Sequence, residues 1–148
     1  MAGVTLIGYL LLFYFYDKNI MLGTSVRWSA FLIYAGYMFL GASKVVREDF
    51  QVVLRTAFGI FIVTNVFYYL FDYALFNHLD TSLINIDKKI MEDYFVPNAK
   101  TIEEARNLAD AIRDTDYHGF AELTKSFAKG AIGGFGLSIL ISYLVKKV

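Results

Sequence analysis

Four long stretches of this chain contain few charged side chains, and they limit the folds that are open to it. The stretches are residues 2–22, 28–46, 54–77 and 129–146. Each approaches or exceeds the roughly 20 mostly apolar residues that a membrane-spanning helix needs. Because lipid satisfies no backbone hydrogen bond, a spanning segment of this kind is expected to be helical. The sequence therefore predicts a single all-α membrane domain over residues 1–148, with four transmembrane helices.

Residues 80–128, between the third and fourth stretches, form a more polar insert that is also expected to be helical. Apolar residues recur at helical spacing from Leu83 to Tyr94, and Pro97 is expected to end that helix. The sequence from Thr101 to Glu104 is a capping box, in which Glu104 is expected to bond back to the Thr101 amide. The insert is therefore predicted to be ordered, with a last helix that continues into the fourth span.

The composition excludes several classes of function. The chain is 57% hydrophobic, has 14 basic and 14 acidic residues, and contains no cysteine. A net charge of zero argues against a nucleic-acid partner, and the lack of cysteine excludes disulfides and thiolate chemistry. No Ser/His/Asp set, phosphate-binding loop or HExxH motif is present. The sequence thus predicts a protein that is not an enzyme and has no cofactor.

One segment resembles the start of a calcium-binding loop. Asp114, Asp116 and His118 occupy its first, third and fifth positions, and Gly119 follows. Lys125 stands at the twelfth position, where a bidentate glutamate is required. The segment is therefore expected to cap helices, and no metal site is predicted.

The distribution of Lys and Arg in short connections predicts the orientation of the spans. With four spans, five basic residues share one side with both termini and two lie on the other side. The five are Lys44, Arg47, Arg55, Lys146 and Lys147, and the two are Lys18 and Arg27. Because basic residues concentrate in cytoplasmic loops, both termini are expected in the cytoplasm and the insert outside it.

Asp72 and Asn65 are the polar residues that stand out in the third span. Asp72 lies about 6 Å along the helix axis from residue 76, near the outer interface. Its carboxylate is expected either to reach water or pair with a Lys or Arg of the insert, or to form a proton or cation site. Asn65 lies seven residues earlier on the same face and is expected to bond between helices.

Two ridges of small residues predict close helix packing. One ridge runs along the fourth span and the other along the second. Their members are Gly130, Gly134, Ser138 and Ser142 in the former, and Ser29, Gly36 and Ser43 in the latter. Such ridges let helix backbones approach closely in lipid. They are expected to pack either the chain's own bundle or an interface with another protein.

The order of these parts resembles a family of small multi-spanning bacterial membrane proteins, the domain of unknown function 4199 family. The resemblance rests on residues 46–50 (VREDF), residues 76–83 (FNHLDTSL) and the glycine-containing last span, residues 130–147. Thr81 departs from the family pattern, in which proline is frequent at that place. The resemblance implies an integral protein of a Gram-negative inner membrane and assigns no catalytic residue.

Three functional hypotheses follow. The first is a non-enzymatic subunit or scaffold whose partners are the lipid bilayer and other membrane-protein subunits or further copies of itself. The second is a small ion-coupled carrier that uses Asp72 and Asn65. The third is an accessory to membrane lipid or polyprenyl-phosphate chemistry, with the insert in the headgroup layer.

Overall fold

The computed structural model describes residues 1–147, which are almost entirely helical and contain no strand. The helices are α1 (Ala2–Tyr16), α2 (Lys18–Leu22), α3 (Thr24–Lys44), α4 (Phe50–Ala74), α5 (Ser82–Phe95), α6 (Ile102–Asp114) and α7 (Phe120–Lys147). A π-helical turn, Leu75–Leu79, extends α4, and a 3₁₀ turn, Val96–Asn98, follows α5. The all-helical prediction is therefore confirmed.

Helices α1, α3, α4 and α7 form a bundle in which α4 packs against the other three. The core of the bundle is a set of buried apolar side chains that includes Leu6, Met38, Val53, Phe61 and Ile141. A second apolar cluster at one end joins α2, the π-helical turn and α5 through Met21, Leu22, Leu75, Phe76 and Leu83. The predicted insert thus begins with a helix that packs across one end of the bundle.

Two helices are long and apolar enough to cross a membrane, namely residues 50–79 and α7. About 28% of the most apolar window of each is fully buried within the bundle, so the larger share of each window is partly or fully exposed. An exterior of this kind needs lipid or a partner protein to cover it. Helix α1 is apolar but has 15 residues, and α3, with 21 residues, is less apolar than the two candidate spans.

The prediction of one continuous helix over residues 2–22 is wrong. The chain is extended at Asp17, with φ −161° and ψ 120°, and α2 begins at the next residue. The Asp17 carboxylate accepts a hydrogen bond from the Asn19 amide at 2.7 Å. This side chain caps α2, so it favours a break where the apolar pattern alone predicts continuity.

The capping box differs from its prediction in one bond. Thr101 Oγ1 accepts from the Glu104 amide at 3.1 Å, as expected for this motif. Glu104 Oε2, however, accepts from the Lys100 amide at 2.8 Å instead of the Thr101 amide. The carboxylate thus binds the amide one residue earlier and still satisfies a free N–H group beside the helix start.

The small residues of α7 face α4 within the chain. A Cβ atom added at Gly134 would lie 2.1 Å from Phe61 Cε1. Ser138 and Ser142 are fully buried, and their hydroxyls donate to the carbonyls of Gly134 and Ser138, four residues earlier. This ridge therefore allows α7 and α4 to pack closely, which is one of its two predicted roles.

The small residues of α3 are placed differently. Gly36 is exposed, and a Cβ atom there would meet no atom within 4 Å. Ser29 is partly buried and hydrogen-bonds Tyr9 of α1, whereas Ser43 donates to the Phe39 carbonyl. The buried face of α3 is formed instead by larger residues such as Tyr34 and Met38.

We expect Gly134→Ala to destabilise the protein and Gly133→Ala to leave it unchanged or slightly more stable. The added methyl at residue 134 collides with the Phe61 ring, whereas a Cβ at residue 133 meets no atom within 4 Å. Alanine favours a helix over glycine by about 1 kcal/mol, so only the collision lowers the stability. Thermal melting of both variants in one detergent measures the difference, and equal melting temperatures would contradict this packing.

Candidate functional site

Four charged side chains from separate parts of the chain meet at the end of the bundle that α5 covers. Asp72 lies near the end of α4, Asp87 in the middle of α5 and Arg27 in the first turn of α3. His118 lies in the segment between α6 and α7. Asp72, Asp87 and His118 are buried, whereas about half of the Arg27 side chain is exposed. We call these four residues the charged network.

His118 joins the two carboxylates. Its Nδ1 atom is 2.8 Å from Asp72 Oδ2, and its Nε2 atom is 3.1 Å from Asp87 Oδ2. Arg27 Nη2 donates to the other oxygen of Asp87 at 2.6 Å. The network therefore runs from α4 through the segment before α7 to α5 and α3.

The geometry favours the protonated form of His118. Two ionised carboxylates accept only, so both ring nitrogens of His118 must donate, and only the imidazolium has two N–H groups. Burial by itself would lower the pKa of His118, but its hydrogen bonds to Asp72 and Asp87 raise the pKa to about 9. At neutral pH the network thus contains two positive and two negative charges.

Asp87 is the most enclosed member, with 2% of its surface exposed. Burial disfavours its charged form, yet the bonds and charges of His118 and Arg27 outweigh that effect and lower the pKa of Asp87. Removal of either cation would leave a buried carboxylate without full compensation, which is strongly destabilising.

The π-helical turn supports His118 from α4. The Phe76 ring stacks on the imidazole with 3.5 Å between centroids and 8° between planes. The Asn77 side chain donates to the His118 carbonyl at 2.8 Å and to the Tyr73 carbonyl at 3.1 Å. The amide of Asp80 bonds the carbonyl of Leu75, five residues earlier, which closes the wide turn. This turn therefore positions both the ring and the backbone of His118.

A second ion pair holds α5 to α2. Lys18 pairs with Asp80, whose carboxylate also accepts from Tyr14 at 3.0 Å and from the Ser82 hydroxyl at 2.5 Å. The hydrogen bond from Lys18 is the largest cause of the lowered pKa of Asp80. Lys18 and Arg27 are the two basic residues that the sequence places on the side opposite the termini. Each is paired with an acid, Lys18 with Asp80 just before α5 and Arg27 with Asp87 in α5.

A cavity of about 240 Å³ lies beneath α5 and is bounded by the charged network. Besides those four residues, its polar lining includes the hydroxyl-bearing residues Tyr68, Tyr69, Tyr117 and Ser126. Its apolar lining comes from α1, α2, α4 with its π-helical turn, α5 and α7, and includes Leu10, Leu22, Phe71, Phe76, Met91 and Leu123. Among residues 1–147, no side-chain hydrogen bond involves the hydroxyls of Tyr68, Tyr69 or Ser126. These groups are therefore free to bond a molecule in the cavity.

Asn65 lies deeper in the bundle than this cavity. Its Oδ1 accepts from the Tyr34 hydroxyl at 3.3 Å, but its buried Nδ2 has no hydrogen-bond partner within residues 1–147. A Cβ atom at Gly130 would lie 3.5 Å from this Nδ2 and 3.9 Å from the Tyr69 hydroxyl. Asn65 and Tyr69 therefore lie on the same small gap beside α7, and Tyr69 also lines the cavity.

The structure brings together residues that sequence reasoning treated separately. Asp72 was singled out from the sequence, but its partner is His118 and not a Lys or Arg of the insert. Arg27 entered only as a basic loop residue, and Asp87 was missed. A signal for Asp87 existed, because it lies four residues from both Leu83 and Met91 on the otherwise apolar face of α5. Within residues 1–147, no group of three or more His, Asp or Glu side chains is arranged to hold a metal ion.

We expect the stability of the protein to fall as the pH rises from about 6.5 to about 9. The folded-state pKa of His118 lies above the unfolded value of 6.5, so its contribution is complete below pH 6.5 and is lost as the pH passes through about 9. The difference corresponds to about 3 kcal/mol. Thermal melting in detergent at a series of pH values measures this loss.

The matched control for that measurement is the exposed second histidine, His78. His78→Gln should keep the decline in melting temperature, whereas His118→Gln should melt lower at pH 6.5 and lose most of the decline. A His118→Gln variant with the slope of the unsubstituted protein would show that another group titrates.

No protein-family model, curated protein or solved structure matches the chain. The resemblance to the domain of unknown function 4199 family therefore stays a prediction, and the chemistry of the site is the basis for a functional proposal.

Proposed function

We propose that this protein is a non-enzymatic subunit or scaffold that joins other membrane-protein subunits, or further copies of itself, through the outer face of α3. The observation that carries the proposal is the combination of apolar exposure and a small residue on that face. Trp28, Leu32 and Leu40 are each more than 60% exposed, and they flank the open position Gly36. A notch of this kind between large apolar side chains suits the close approach of a second helix.

Two aromatic rings extend the apolar outer face of α3. Phe31 and Phe39 are exposed there in addition to the residues around Gly36. A partner helix that packs on this face would cover these side chains together with the open position at Gly36.

The charged network suits a scaffold because it holds α5 in one position. Bonds from Asp87 to both Arg27 and His118 connect α5 to the start of α3 and to the segment before α7. The second pair, Lys18 with Asp80, adds a connection to α2. A rigid insert can present a defined surface outside the membrane without further ordering on binding.

We expect Gly36→Leu to abolish association with partner subunits or further copies without lowering the stability of the single chain. The leucine fills the notch that a partner helix would enter, and a Cβ atom at this exposed position meets no atom of its own bundle within 4 Å. Purification in mild detergent or native nanodiscs, with sizing and mass spectrometry, measures the association.

Gly133→Leu is the matched control, since residue 133 is also exposed and also has open space around its Cβ position. That variant should keep the associated proteins. A Gly36→Leu protein that still copurifies with the same partners in the same ratio would contradict this interface.

Our proposal places the protein in a bacterial inner membrane with α1, α3, α4 and α7 as four spans, both termini in the cytoplasm and the insert in the periplasm. Lys146 donates to the carbonyls of Val46 and Glu48, so the basic C-terminal end of α7 lies beside the α3–α4 connection. The opposite end has two basic residues in short connections, Lys18 and Arg27, against five on the side of the termini, and this bias favours cytoplasmic termini. Helix α1 covers about 22 Å over Ala2–Tyr16, which is less than the roughly 30 Å of a bilayer core.

We expect a membrane-impermeant maleimide to label Glu103→Cys in intact spheroplasts and Arg47→Cys only after lysis. The chain has no cysteine of its own, so each variant carries a single reactive thiol. Both positions are exposed, and they lie in the insert and in the α3–α4 connection respectively. Labelling of Arg47→Cys in intact spheroplasts would contradict the proposed orientation.

A second candidate function, a small ion-coupled carrier, is favoured by the cavity and by the unsatisfied Asn65 Nδ2. The cavity lies at the bundle end, and Tyr69 links it to the deeper gap at Asn65. Polar groups inside an apolar bundle commonly mark an ion or proton path. This candidate requires that the cavity bind a cation and that Asp72 be needed for that binding.

A further inference from the structure

We propose that the cavity beneath α5 is a binding site for a small primary alkylammonium ion, and that the ion enters in exchange for the proton on His118. The inference goes beyond the scaffold function. It also deepens the carrier function, since it names the class of ion that binds. Only transport of the ion rests on the carrier function, because binding in the cavity requires no passage across the membrane.

The size of the cavity selects a small ligand. A volume of about 240 Å³ corresponds to about eight water molecules at roughly 30 Å³ each. A group of about six to ten non-hydrogen atoms therefore fits inside it.

The free polar atoms of the cavity suit an ammonium group. Asp72 uses Oδ2 to bind His118, and no side-chain hydrogen bond within residues 1–147 involves its Oδ1. The hydroxyl oxygens of Tyr68, Tyr69 and Ser126 are also available, and an ammonium group donates three hydrogen bonds. One carboxylate oxygen and two hydroxyl oxygens therefore satisfy all three donors.

The remaining walls suit an alkyl chain and disfavour a bare metal cation. They are formed by side chains such as Leu22, Leu75 and Leu123 and by the rings of Phe71 and Phe76. Apolar walls stabilise methylene groups, and aromatic faces attract organic cations. A sodium or potassium ion gains no such stabilisation from these walls, because hard metal cations bind oxygen ligands.

The charges that face His118 explain the exchange of a proton. They are Asp72 from α4, Asp87 from α5 and Arg27 from α3, whereas α7 contributes the uncharged Leu123 and Ser126. With His118 protonated the four charges sum to zero, so an ammonium ion would leave the enclosed site with an excess positive charge. Loss of the His118 proton to the solvent restores neutrality: the neutral ring keeps one N–H donor for Asp87, and the ammonium ion replaces the ring as the cationic partner of Asp72. His118 is the member of this set that can change its charge between pH 6.5 and 9.

An anion would not be compensated in the same way. Its excess negative charge would have to be removed by protonation of Asp72 or Asp87, and the pKa of Asp87 is already lowered by its partners. Because the network can lose the His118 proton more readily than it can gain a proton on Asp87, the site favours a cation over an anion.

Isothermal titration of the detergent-purified protein with n-butylammonium chloride at pH 7.5 tests the proposal. Titrations in phosphate and in HEPES, which differ in ionisation enthalpy and contain no primary ammonium ion, report the number of protons released. We expect one ion bound and about one proton released, with n-pentanol, sodium chloride and potassium chloride giving at least tenfold weaker binding. Equal binding of n-pentanol or of an inorganic cation would overturn the ligand class, and binding without proton release would overturn the exchange.

Three variants separate the site from general effects on the fold. Asp72→Asn should weaken butylammonium binding at least tenfold. Tyr69→Phe, which removes only a hydroxyl, should weaken it roughly 2- to 12-fold while it keeps the melting temperature. Glu92→Gln, on α5 but outside the cavity lining, should bind as the unsubstituted protein does. Unchanged affinity in both Asp72→Asn and Tyr69→Phe would overturn the assignment of the site.

Proteoliposome flux distinguishes failure of this inference from failure of the carrier function. Binding in the titration without butylammonium-driven proton flux would leave the site in place and remove the carrier. Absence of binding would overturn the site itself, whatever the flux.

Discussion

The pairing of His118 with two carboxylates is the interaction on which the arrangement of the insert depends. An imidazolium is the only state of this ring that donates to Asp72 and Asp87 at once. Because the two acids belong to α4 and α5, a single protonated ring holds together a long helix of the bundle and the helix that covers it. Arg27 then balances the second negative charge and extends the connection to α3.

Burial of three charged side chains at the end of an apolar bundle has a cost that their pairing with one another and with the half-exposed Arg27 offsets. Removal of charged groups from water is expensive, and a buried pair stabilises a fold only when its geometry and hydrogen bonds are nearly complete. Asp87 meets that condition, since each of its oxygens accepts from a cation. Asp72 meets it only in part, because one oxygen binds His118 and the other borders the cavity. The network is thus both a structural connection and the polar wall of a site.

The surface proposed for a partner protein and the cavity proposed for a cation lie in different parts of the molecule. The outer face of α3 around Gly36 is directed away from the core, whereas the cavity lies between α5 and the bundle. A partner on α3 and a small cation in the cavity would therefore occupy different surfaces. Arg27, in the first turn of α3 and in the charged network, is the residue through which one could influence the other.

Much of the fold could be predicted from the sequence, because burial in an apolar bundle depends on local pattern. The helical class, the end of α5 before Pro97 and the start of α6 at the Thr101 cap all follow from residues close in sequence. The prediction of a continuous first span was wrong for an equally local reason. The Asp17 carboxylate caps α2, and a hydropathy pattern does not indicate such a cap. The sequence predicted that the small residues of α7 allow close packing, but only the structure identified Phe61 as the residue that they contact.

By itself the sequence determined that this chain is helical, apolar on its exterior and marked by an acid at residue 72, because periodicity and residue type carry that information. The tertiary structure alone decided the meaning of that acid. His118 is 46 residues from Asp72 and 31 from Asp87, so no local pattern links the three. Long-range pairs of this kind form only when helix packing brings distant segments together, and here that packing joins these three residues and Arg27 into one neutral, cavity-lining network.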